Sequence, residues 1–542
     1  MKVFDQFLLS YQLMIGNISP QDTKSGAIVA AISKQSPNYW YTWTRDAALT
    51  MDVVNAVYKF TKYHPELNLV VGSKQQLDKF FDDYAAFTYS NQRTQTPSAQ
   101  YDDSNLGEPK FNVDGSAFTG PWGRPQNDGP ALRSYALINY LLDSNRQTTW
   151  YTSSMNSIIK MDCEYLAKKL NAPSFDLWEE VLGMHFYNAV VYDKSLEACA
   201  AIATANNDPG AATYYNHKRN IAQQNIQSHM TGNYVQQTLE KRGGVNKPSN
   251  LDIATVLAIL HTNVGPQDVV YASHPKVQAT VVMLQKAFYN VYPLNSDPGR
   301  IKEAEQYHLG YAFGRYPEDT YDGYGTSKAN PWFLATASVA EYYYLLIAEY
   351  QSLQRIEIND LNREFFTTGL DLKIANGVID GTHADFKWIL NRLFEMGDKQ
   401  LRRMMYHGTC RNTNVATGHF SEQFNLNSGF MQGAKDLTWS HASFLTATMK
   451  RTEAANVLGI NVTVSHGVED AVLPALQPQR AMTSFKLQQP QQLATPKPAF
   501  HRHSNRITAM RASPAKLTMR KPLKPMIKQH TAASVRFAHL LK

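Results

Sequence analysis

The chain has 542 residues, of which 43% are hydrophobic and 18% are charged, a composition typical of a folded protein with a large buried core. The formal charge of +7 is concentrated near the C-terminus, because the residues from 471 onward hold 13 Lys or Arg and neither Asp nor Glu. Subtracting those 13 from the total of 53 leaves 40 basic residues against 46 acidic ones. The body is therefore mildly acidic, which argues against a nucleic-acid-binding protein.

The first predicted element is an N-terminal helix. Asp5 and Gln6 interrupt the apolar residues of Met1–Gln12, and no small-residue cleavage site follows, so the pattern favours an amphipathic helix over a signal peptide. No window approaches the run of about 18 apolar residues that spans a bilayer, and we expect a soluble protein. The location stays open: a chain without a leader is intracellular or vacuolar, or it is secreted and its leader is missing from this sequence.

Helical periodicity dominates residues 1–465. Leu49, Val53, Val57 and Phe60 fall on one face at i, i+4, i+8 and i+11, the spacing of an amphipathic helix. The same test predicts twelve helices, which begin near Val3, Asp46, Gln76, Ala131, Ser153, Trp178, Ala211, Leu251, His274, Trp332, His383 and Leu437. Because there is little sign of strands, the predicted fold class is all-α, as a bundle or a toroid.

Five segments rich in Trp, Arg, Asp, Glu and Gly lie directly before predicted helices. They are Tyr39–Asp46, Gly107–Asp128, Phe175–Glu180, Gly314–Asn330 and Ser421–Asp436. If alternate helices run parallel around a ring, the loops at their N-termini gather on one rim, where helix N-termini also favour carboxylates. The sequence therefore predicts one site assembled from these five segments.

The C-terminal segment differs from the rest of the chain. It holds Gln-Pro and Lys-Pro pairs, scattered Arg and His, and little periodicity, which is typical of a low-complexity, disordered segment. A basic tail can bind nucleic acid or an acidic membrane surface, but this one lacks regularly interleaved aromatic residues, and we favour a solvated, disordered tail. The predicted organisation is a folded domain over residues 1–465 and a basic tail over residues 466–542.

Cysteine and histidine spacing predicts neither a metal site nor a disulfide framework. Cys163, Cys199 and Cys410 are far apart and allow at most one disulfide, so three buried or free thiols are expected. The sixteen histidines form no HExxH-type spacing and no Gly-rich phosphate loop follows a strand, so we predict no metal and no cofactor. Sequons at Asn17 and Asn461 matter only in a protein that enters the secretory pathway.

The stretch Asp176–Glu180 places three carboxylates within five residues, beside Trp178. Neighbouring like charges and an apolar wall both raise the pKa of a carboxyl group, so one of the three could stay protonated near neutral pH, as a general acid must. The alternative is structural, because acidic residues in the first turn of a helix complement its macrodipole. On the residues alone, the two interpretations have equal weight.

Five segments, in chain order, resemble the catalytic domain of fungal glucoamylases, glycoside hydrolase family 15. They are Tyr39–Leu49; Leu106–Asp114 with Trp122–Arg133; Asp176–Val181; Gly314–Asp319 with Asn330–Thr336; and Ser421–Phe424 with Asp436–Ser440. The resemblance covers about residues 1–455 and implies an (α/α)6 toroid, in agreement with the twelve predicted helices. It also implies an inverting enzyme that releases β-D-glucose from the non-reducing ends of α-1,4-glucans, namely starch dextrins, glycogen and maltooligosaccharides, with weaker α-1,6 action.

The resemblance further implies roles for individual residues. The general acid corresponds to Glu179 and the general base, which activates water, to Glu422; in inverting enzymes such groups stand roughly 6.5–9.5 Å apart. Arg45 and Asp46 are expected to hold hydroxyls of the terminal glucose, and Tyr39 to stabilise an oxocarbenium-like transition state. The other expected substrate-binding residues are the pocket walls Trp43, Trp122, Trp178 and Trp332, the next-sugar ligands Glu180 and Arg315, Asp176 as electrostatic support for Glu179, and Leu177.

Three departures from the family pattern leave both catalytic carboxylates in place. Leu182 stands where Asn is common, Asn425 where Asp is frequent and His441 where Tyr is common, which bears on rate, pH optimum or subsite preference. No stretch resembles a starch-binding module, so soluble dextrins or glycogen are expected more than raw starch. The rival functions are a trehalose- or isomaltose-type α-glucosidase on the same toroid and a non-catalytic glucan-binding or regulatory domain. The expected partners are α-glucans, with no nucleic acid and no membrane, and a monomer is expected.

Overall fold

The computed structural model describes residues 2–67, 72–102, 104–408 and 417–460. All of them belong to one compact unit, Met1–Met482, whereas the residues of a second unit, Thr483–Lys542, fall outside the described ranges. The predicted disordered tail, the sequon at Asn461 and the thiol of Cys410 also fall outside the described residues.

Helices dominate the described part of the chain. The α-helices are α1 (Val3–Gly16), α2 (Thr44–Thr61), α3 (Lys74–Asn91), α4 (Ala99–Asp102), α5 (Asp128–Ser144), α6 (Ile158–Lys169), α7 (Phe186–Ala205), α8 (Pro209–His229), α9 (Ala254–His261), α10 (Pro275–Val291), α11 (Pro293–Ser296), α12 (Pro298–Gln306), α13 (Phe333–Leu353), α14 (Ala384–His407) and α15 (Thr438–Leu458). A 3₁₀ turn at Pro65–Leu67 and a π-turn at Phe365–Gly369 complete the helical elements. All of these α-helices except the short α4, α11 and α12 correspond to the predicted ones.

Six of the helices form a closed inner ring. In ring order α2 contacts α5, which contacts α7, then α9, α13 and α15, and α15 contacts α2 again. Six further helices form an outer layer, each packing mainly on one member of the ring: α1 on α15, α3 on α2, α6 on α5, α8 on α7, α10 on α9 and α14 on α13. In addition, α6 contacts α7 and α14 contacts α15. The architecture is therefore the (α/α)6 toroid, which confirms the predicted fold class.

The sequences of inner and outer helices differ as their positions require. The inner helix α13 buries residues on every face, including the consecutive Tyr342, Tyr343 and Tyr344, and a helix that is apolar all round belongs inside a protein. The outer helix α14 instead buries residues at i, i+3, i+4 and i+7 in its first turns, from Phe386 to Leu393, and leaves the residues between them at least partly exposed. The core of the molecule consequently lies within the ring and between its two layers.

Two of the twelve predicted helix starts are wrong by more than three residues. The helix expected near Ser153 begins at Ile158, and the one expected near Trp178 begins at Phe186. The stretch around Trp178 instead forms a turn between two strands, so the acidic residues there do not lie in a first helical turn. Local apolar spacing could not predict this, because the strands are stabilised by pairing with residues some sixty positions away in the chain.

Short antiparallel strands occur mainly in the loops before inner helices, although the sequence shows little sign of them. They are β1 (Thr42–Trp43) with β2 (Lys110–Phe111); β3 (Ser174–Phe175), β4 (Val181–His185) and β5 (Thr238–Gly244) in the order β3-β4-β5; β6 (Arg355–Ile358) with β7 (Gly377–Asp380); and β8 (Gln423–Phe424) with β9 (Met431–Gln432). These ladders fix the backbone of the loops, since a paired strand satisfies its own polar groups.

A disulfide joins Cys163 on α6 to Cys199 on α7, with Cα atoms 6.0 Å apart. The expectation of three free or buried thiols is therefore wrong for these two residues. They are 36 positions apart in the chain, and only the packing of α6 against α7 brings them together. Closing a loop of this length stabilises a protein by about 4 kcal/mol in the chain-entropy model.

The first residue of the N-terminal sequon is buried. Asn17, the first sequon residue, is 1% exposed, and its side-chain amide donates to Thr438 Oγ1 at 2.7 Å. This asparagine is thus packed inside the folded domain and is not presented for glycosylation.

Among the residues that the structure describes, no helix has the length and apolar character needed to cross a bilayer.

Candidate active site

The loops before the inner helices bring the predicted site residues together. Each of the five polar segments leads into a member of the inner ring, namely α2, α5, α7, α13 and α15. The sixth inner helix, α9, is preceded by the segment Lys247–Asp252. Side chains from these loops contact one another, as the following distances show, so the prediction of one assembled cluster is confirmed.

Glu422 lies directly before β8, with its carboxyl group held by two tyrosines. Tyr39 donates to Oε1 at 2.7 Å and Tyr321 donates to Oε2 at 3.2 Å, while the two phenol oxygens lie 3.0 Å apart. Burial raises the pKa of Glu422 to about 7, although the tyrosine hydroxyls and the charge of Arg315 oppose the rise. This carboxyl group can therefore exchange a proton near neutral pH.

Glu179 sits in the turn between β3 and β4, with its carboxylate held by two tryptophans. The indole N–H of Trp43 donates to Oε1 at 2.8 Å and that of Trp122 to Oε2 at 2.6 Å. The guanidinium of Arg45 lies 3.5 Å from Oε1. Glu179 has a backbone φ of +70°, a left-handed conformation that is unfavourable for a side-chain-bearing residue. Backbone strain of this kind clusters at functional sites.

One closed circuit of contacts, which we call the aromatic circuit, contains Glu179 and is hydrogen-bonded to Glu422. In order it comprises Glu179, Trp43, Tyr39, Tyr321, Trp332, Trp178, Trp439, Arg45 and again Glu179. Its ring centroids are 5.4 Å apart for Tyr39 and Trp43, 5.7 Å for Trp178 and Trp332, and 6.1 Å for Trp178 and Trp439. Glu422 joins the circuit through Tyr39 and Tyr321, so it lies on a different stretch from Glu179.

Arg45 and Asp46 occupy the first turn of α2. The Arg45 guanidinium lies 3.2 Å from Asp46 and 3.4 Å from Asp128, and it donates to Gln126 at 3.1 Å. Burial raises the pKa of Asp46 to about 6, against the opposing charge of Arg45. Arg45 therefore balances a cluster of three buried or half-buried carboxylates, including Glu179.

Glu180 and Arg315 form a second charged group beside the aromatic circuit. Arg315 donates to Glu180 at 2.8 Å and to the two oxygens of Asp319 at 2.6 and 2.7 Å. The hydroxyl of Tyr316 donates to the other Glu180 oxygen at 2.5 Å. Burial raises the pKa of Glu180, while Arg315 opposes that effect. The guanidinium also lies 5.3 Å from the ring centroid of Trp332, which connects this group to the circuit.

Asp176 and Leu177 lie behind the site rather than in its wall. One Asp176 oxygen accepts from the backbone N–H groups of Glu180 and Val181, at 2.8 and 3.0 Å, so this side chain holds the turn together. Burial raises the pKa of Asp176, but Lys247, His185 and the backbone N–H of Glu180 together outweigh this effect and lower the pKa to about 2. Leu177 is 1% exposed and packs in the hydrophobic core, so a role in substrate binding would fall to its main chain.

The family model described as Glycosyl hydrolases family 15 matches residues 9–449. The chain belongs to the glycosyl hydrolases of family 15. As a member of that family it is a glycoside hydrolase. It is 35% identical over 450 residues to Glucoamylase 1 of Rhizopus oryzae, covering 81% of this chain and 69% of that protein. It is 34% identical over 466 residues to the glucoamylase of Blastobotrys adeninivorans, covering 83% and 70%.

A solved structure gives the same family. The glucoamylase of Saccharomycopsis fibuligera superimposes with a TM-score of 0.71 at 29% identity, covering 84% of this chain and 96% of that one. The match therefore covers nearly the whole of a solved glucoamylase. The resemblance stated from the five sequence segments is therefore confirmed.

Several residues that contact the predicted site of this family 15 hydrolase were missed by sequence reasoning. Tyr321 and Trp439 complete the aromatic circuit, and both lie inside segments already singled out. Lys110 is also unexpected: its ammonium group lies 3.2 Å from the ring centroid of Trp122 and 4.5 Å from that of Trp43. Burial lowers the pKa of Lys110 to about 8, although the charge of Glu179 opposes this. A tyrosine-rich, glycine-rich loop was the available signal for Tyr321, whereas no local pattern marks Lys110.

The three departures from the family pattern lie in supporting positions. Leu182 is in β4, opposite Gly243 of β5. Asn425 donates to Gln432 at 3.0 Å in the hairpin of β8 and β9. His441 is fully buried and lies 3.3 Å from Asp436. All three therefore shape the loops that hold the carboxyl groups of this family 15 hydrolase.

Proposed function

We propose that this family 15 hydrolase removes single glucose units from the non-reducing ends of α-1,4-glucans and releases them as β-D-glucose. Soluble dextrins, glycogen and maltooligosaccharides are the proposed substrates, with weaker action on α-1,6 linkages. The observation that supports this proposal best is the aromatic circuit, which contains Glu179 and holds Glu422 through the hydroxyls of Tyr39 and Tyr321. Aromatic faces pack well on the C–H faces of a sugar, and two carboxyl groups are what glycosidic cleavage requires.

In the proposed reaction Glu179 is the general acid and Glu422 the general base. Glu179 protonates the glycosidic oxygen as the bond to the anomeric carbon breaks, while Glu422 takes a proton from the attacking water. Because the water enters opposite the leaving group, the configuration inverts and the α-linked sugar leaves as the β anomer. Tyr39 donates to Glu422 and lies beside the reacting centre, where its oxygen can stabilise the oxocarbenium-like transition state.

The acid and base could be exchanged on electrostatic grounds alone, since burial raises the pKa of Glu422 to about 7. The donors do not distinguish the two groups, because Glu422 accepts from two phenol hydroxyls and Glu179 accepts from two indole N–H groups, and both kinds of donor favour an ionised carboxylate. We therefore take the order from the resemblance of Asp176–Val181 to the family's acid-bearing segment, which makes Glu179 the acid and Glu422 the base.

Attack at chain ends follows from the proposed roles of Arg45 and Asp46. Both are charged groups at the start of α2, next to Glu179, and we assign them to the hydroxyl groups of the terminal glucose. A charged floor of this kind suits a sugar with free hydroxyls and blocks a chain that continues beyond it. Trp43, Trp122, Trp178 and Trp332 then wall the pocket.

The next sugar is proposed to lie against Glu180 and Arg315. Their side chains are hydrogen-bonded to each other and lie beside the acid-bearing turn, which is the side from which a leaving sugar departs. A charged pair that is already hydrogen-bonded is pre-organised, so little rotamer freedom is lost when a sugar hydroxyl binds.

The first experiment follows glucose release from maltotriose by NMR for the native protein, Glu179→Gln and the control Glu349→Gln. Glu349 is a buried glutamate on α13, hydrogen-bonded to the backbone of Ala272 and Ser273. We expect β-glucose as the first product, a loss of at least 100-fold in kcat for Glu179→Gln and little change for Glu349→Gln. A native protein that binds maltodextrin but releases nothing would support a binding domain instead, and a preference for trehalose or isomaltose over maltose would support the rival glucosidases.

A second measurement separates the acid from the base. The substrate is α-glucosyl fluoride, whose leaving group departs without protonation by an acid. We expect Glu179→Gln to keep more than a tenth of the native rate on the fluoride while losing activity on maltose. Glu422→Gln should lose both activities, because each requires an activated water. The reverse pattern would exchange the two roles.

A further inference from the structure

A buried lysine lies behind the turn that carries Glu179. Lys247, in the segment between β5 and α9, has a side chain that is 6% exposed. Its ammonium group lies 2.9 Å from Asp176 Oδ2 and 3.0 Å from Asp252 Oδ2. Burial opposes the charge on Lys247, but the two carboxylates outweigh this effect and the pKa of Lys247 is raised. The ammonium group is therefore charged at neutral pH and bridges two buried carboxylates.

Asp176 and Asp252 form the same pattern of hydrogen bonds. In each of them one carboxylate oxygen accepts from Lys247, and the other oxygen accepts from a residue of the site. Asp176 Oδ1 accepts from the backbone N–H groups of Glu180 and Val181, which closes the turn. Asp252 Oδ1 accepts from the indole N–H of Trp178 at 2.9 Å, which fixes the orientation of that ring in the aromatic circuit.

A third contact reaches the Glu180 group. The Lys247 ammonium lies 3.7 Å from the ring centroid of Tyr316, within the range of a cation–π interaction. The hydroxyl of that same tyrosine donates to Glu180 Oε2. The Lys247 ammonium group thus contacts three side chains. Each of them is hydrogen-bonded in turn to a part of the site: the turn, the Trp178 indole or the Glu180 carboxylate.

We propose that Lys247 is a positioning residue for the reaction, which sets the turn Asp176–Glu180 and the Trp178 ring relative to each other. This inference rests on the proposed function, because it takes Glu179 as the acid and Trp178 as a wall of the pocket. The turn holds Glu179 in a left-handed backbone conformation that is unfavourable without support. Its geometry therefore depends on Asp176, and the placement of Asp176 depends on Lys247.

The physical consequence of losing Lys247 follows from charge. Asp176 and Asp252 would remain as two buried carboxylates without their shared cation, and like charges repel strongly away from water. Each carboxylate would rotate or take up a proton. The hydrogen bonds to the turn and to Trp178 would then lengthen, and misplacing a catalytic group by about 1 Å can cost as much as 100-fold in rate.

The test compares Lys247→Met, Lys247→Arg and the control Lys160→Met. Lys160 is a buried lysine on the outer helix α6 and pairs with Asp208 at 2.5 Å, with a side chain 8% exposed. With maltose as substrate we expect kcat to fall about tenfold for Lys247→Met, with a smaller change in KM. Lys247→Arg should recover to within threefold of the native kcat, because a guanidinium can bridge two carboxylates. Lys160→Met should lower the unfolding temperature but leave kcat within twofold.

The outcomes separate a positioning role from a merely structural one. If Lys247→Met lowers the unfolding temperature as Lys160→Met does but keeps the native kcat and KM, the inference is overturned. If Lys247→Met does not accumulate as folded protein, Lys247→Gln replaces it, since the glutamine amide keeps a donor between the two carboxylates and removes the shared positive charge. A native kcat within twofold in that variant also overturns the inference. A failure of the proposed function is recognised separately, because the native protein would then release no glucose from maltose.

Discussion

Glu422 and Glu179 are held by different kinds of donor, phenol hydroxyls in one case and indole N–H groups in the other. Indole N–H groups do not ionise in the accessible pH range. Burial, followed by the charge of Glu422, raises the pKa of Tyr39 well above its ordinary value, so this phenol also stays a donor. Tyr39 and the two indoles therefore stay protonated, and remain donors, near neutral pH.

At the scale of single residues, the first prediction concerns Gly433, which lies next to the carboxyl group of Glu422. A Cβ atom on Gly433 would lie 2.5 Å from Glu422 Oε2, and the backbone φ of Gly433 is +75°. We expect Gly433→Ala to displace the carboxyl group and to lower kcat on maltose by about 100-fold. Steady-state kinetics with maltose checks this.

The matched control is Gly459→Ala. Gly459 has a similar φ of +68°, but nothing lies within 4 Å of an added Cβ. Both variants bear the left-handed strain of roughly 1 kcal/mol, and only one of them crowds Glu422. Equal kcat values for the two variants would show that Glu422 tolerates displacement, and would contradict the prediction.

At the scale of elements, the packing of α13 against α15 buries a carboxyl group. Glu341 of α13 accepts from the hydroxyl of Thr446 on α15 at 2.5 Å, and it lines a cavity of about 510 Å³ inside the ring. Burial raises the pKa of Glu341 to about 7, against the opposing effects of Thr446 and Lys450. The ordinary value is 4.5, so the ionised form is disfavoured in the folded state.

The sign of the pH dependence follows from this difference. Below pH 4.5 Glu341 is protonated in the folded and unfolded states, and its pKa shift does not affect stability. As the pH rises to 7 the unfolded state loses the proton first, and the folded state becomes less stable by about 3 kcal/mol. We expect Glu341→Gln to remove this penalty and to raise the unfolding temperature at pH 8 by about 3 °C, with no difference at pH 4.

Thermal unfolding at pH 4, 6 and 8 checks this, with Glu453→Gln as the control. Glu453 is on the same helix as Thr446, and its side chain is 50% exposed. A stabilisation of Glu341→Gln that is the same at all three pH values would show that the effect does not come from ionisation.

At the scale of the whole molecule, the ring explains why distant segments form one site. Five of the six inner helices are followed by an outer one, and the outer helix α1, which packs on α15, precedes α2. The chain therefore returns to the same rim before each inner helix. Residues as far apart in the chain as Tyr39 and Glu422 are consequently hydrogen-bonded. Every predicted site residue lies before the end of α15, and the family model ends at residue 449.

We propose on this basis that residues 1–465 form a catalytic domain that works without the segment 466–542. A chain that stops after Ser465 is expected to keep kcat/KM on maltotriose within twofold of the full chain, because every residue of the aromatic circuit lies between Tyr39 and Trp439. Parallel purification and kinetics of the two chains test this. Loss of activity in the shortened chain would assign the basic segment a part in folding or catalysis.

The helices of this fold could largely be predicted from the sequence. Apolar residues repeat at the helical period, as in Leu49, Val53 and Val57, because burial of one face leaves a local pattern. The position of the site could be predicted for a similar reason, since polar and aromatic residues are concentrated before alternate helices. The resemblance to family 15 then assigned roles that no spacing could assign.

The tertiary structure alone decided what depends on pairs of residues far apart in the chain. The disulfide of Cys163 and Cys199, the turn at Trp178, the bridge made by Lys247 and the closure of the circuit by Tyr321 are all of this kind. The local sequence shows which face of a helix is buried, because apolar residues repeat along that face. It does not show which distant residue a side chain contacts, because that contact depends on how whole helices pack.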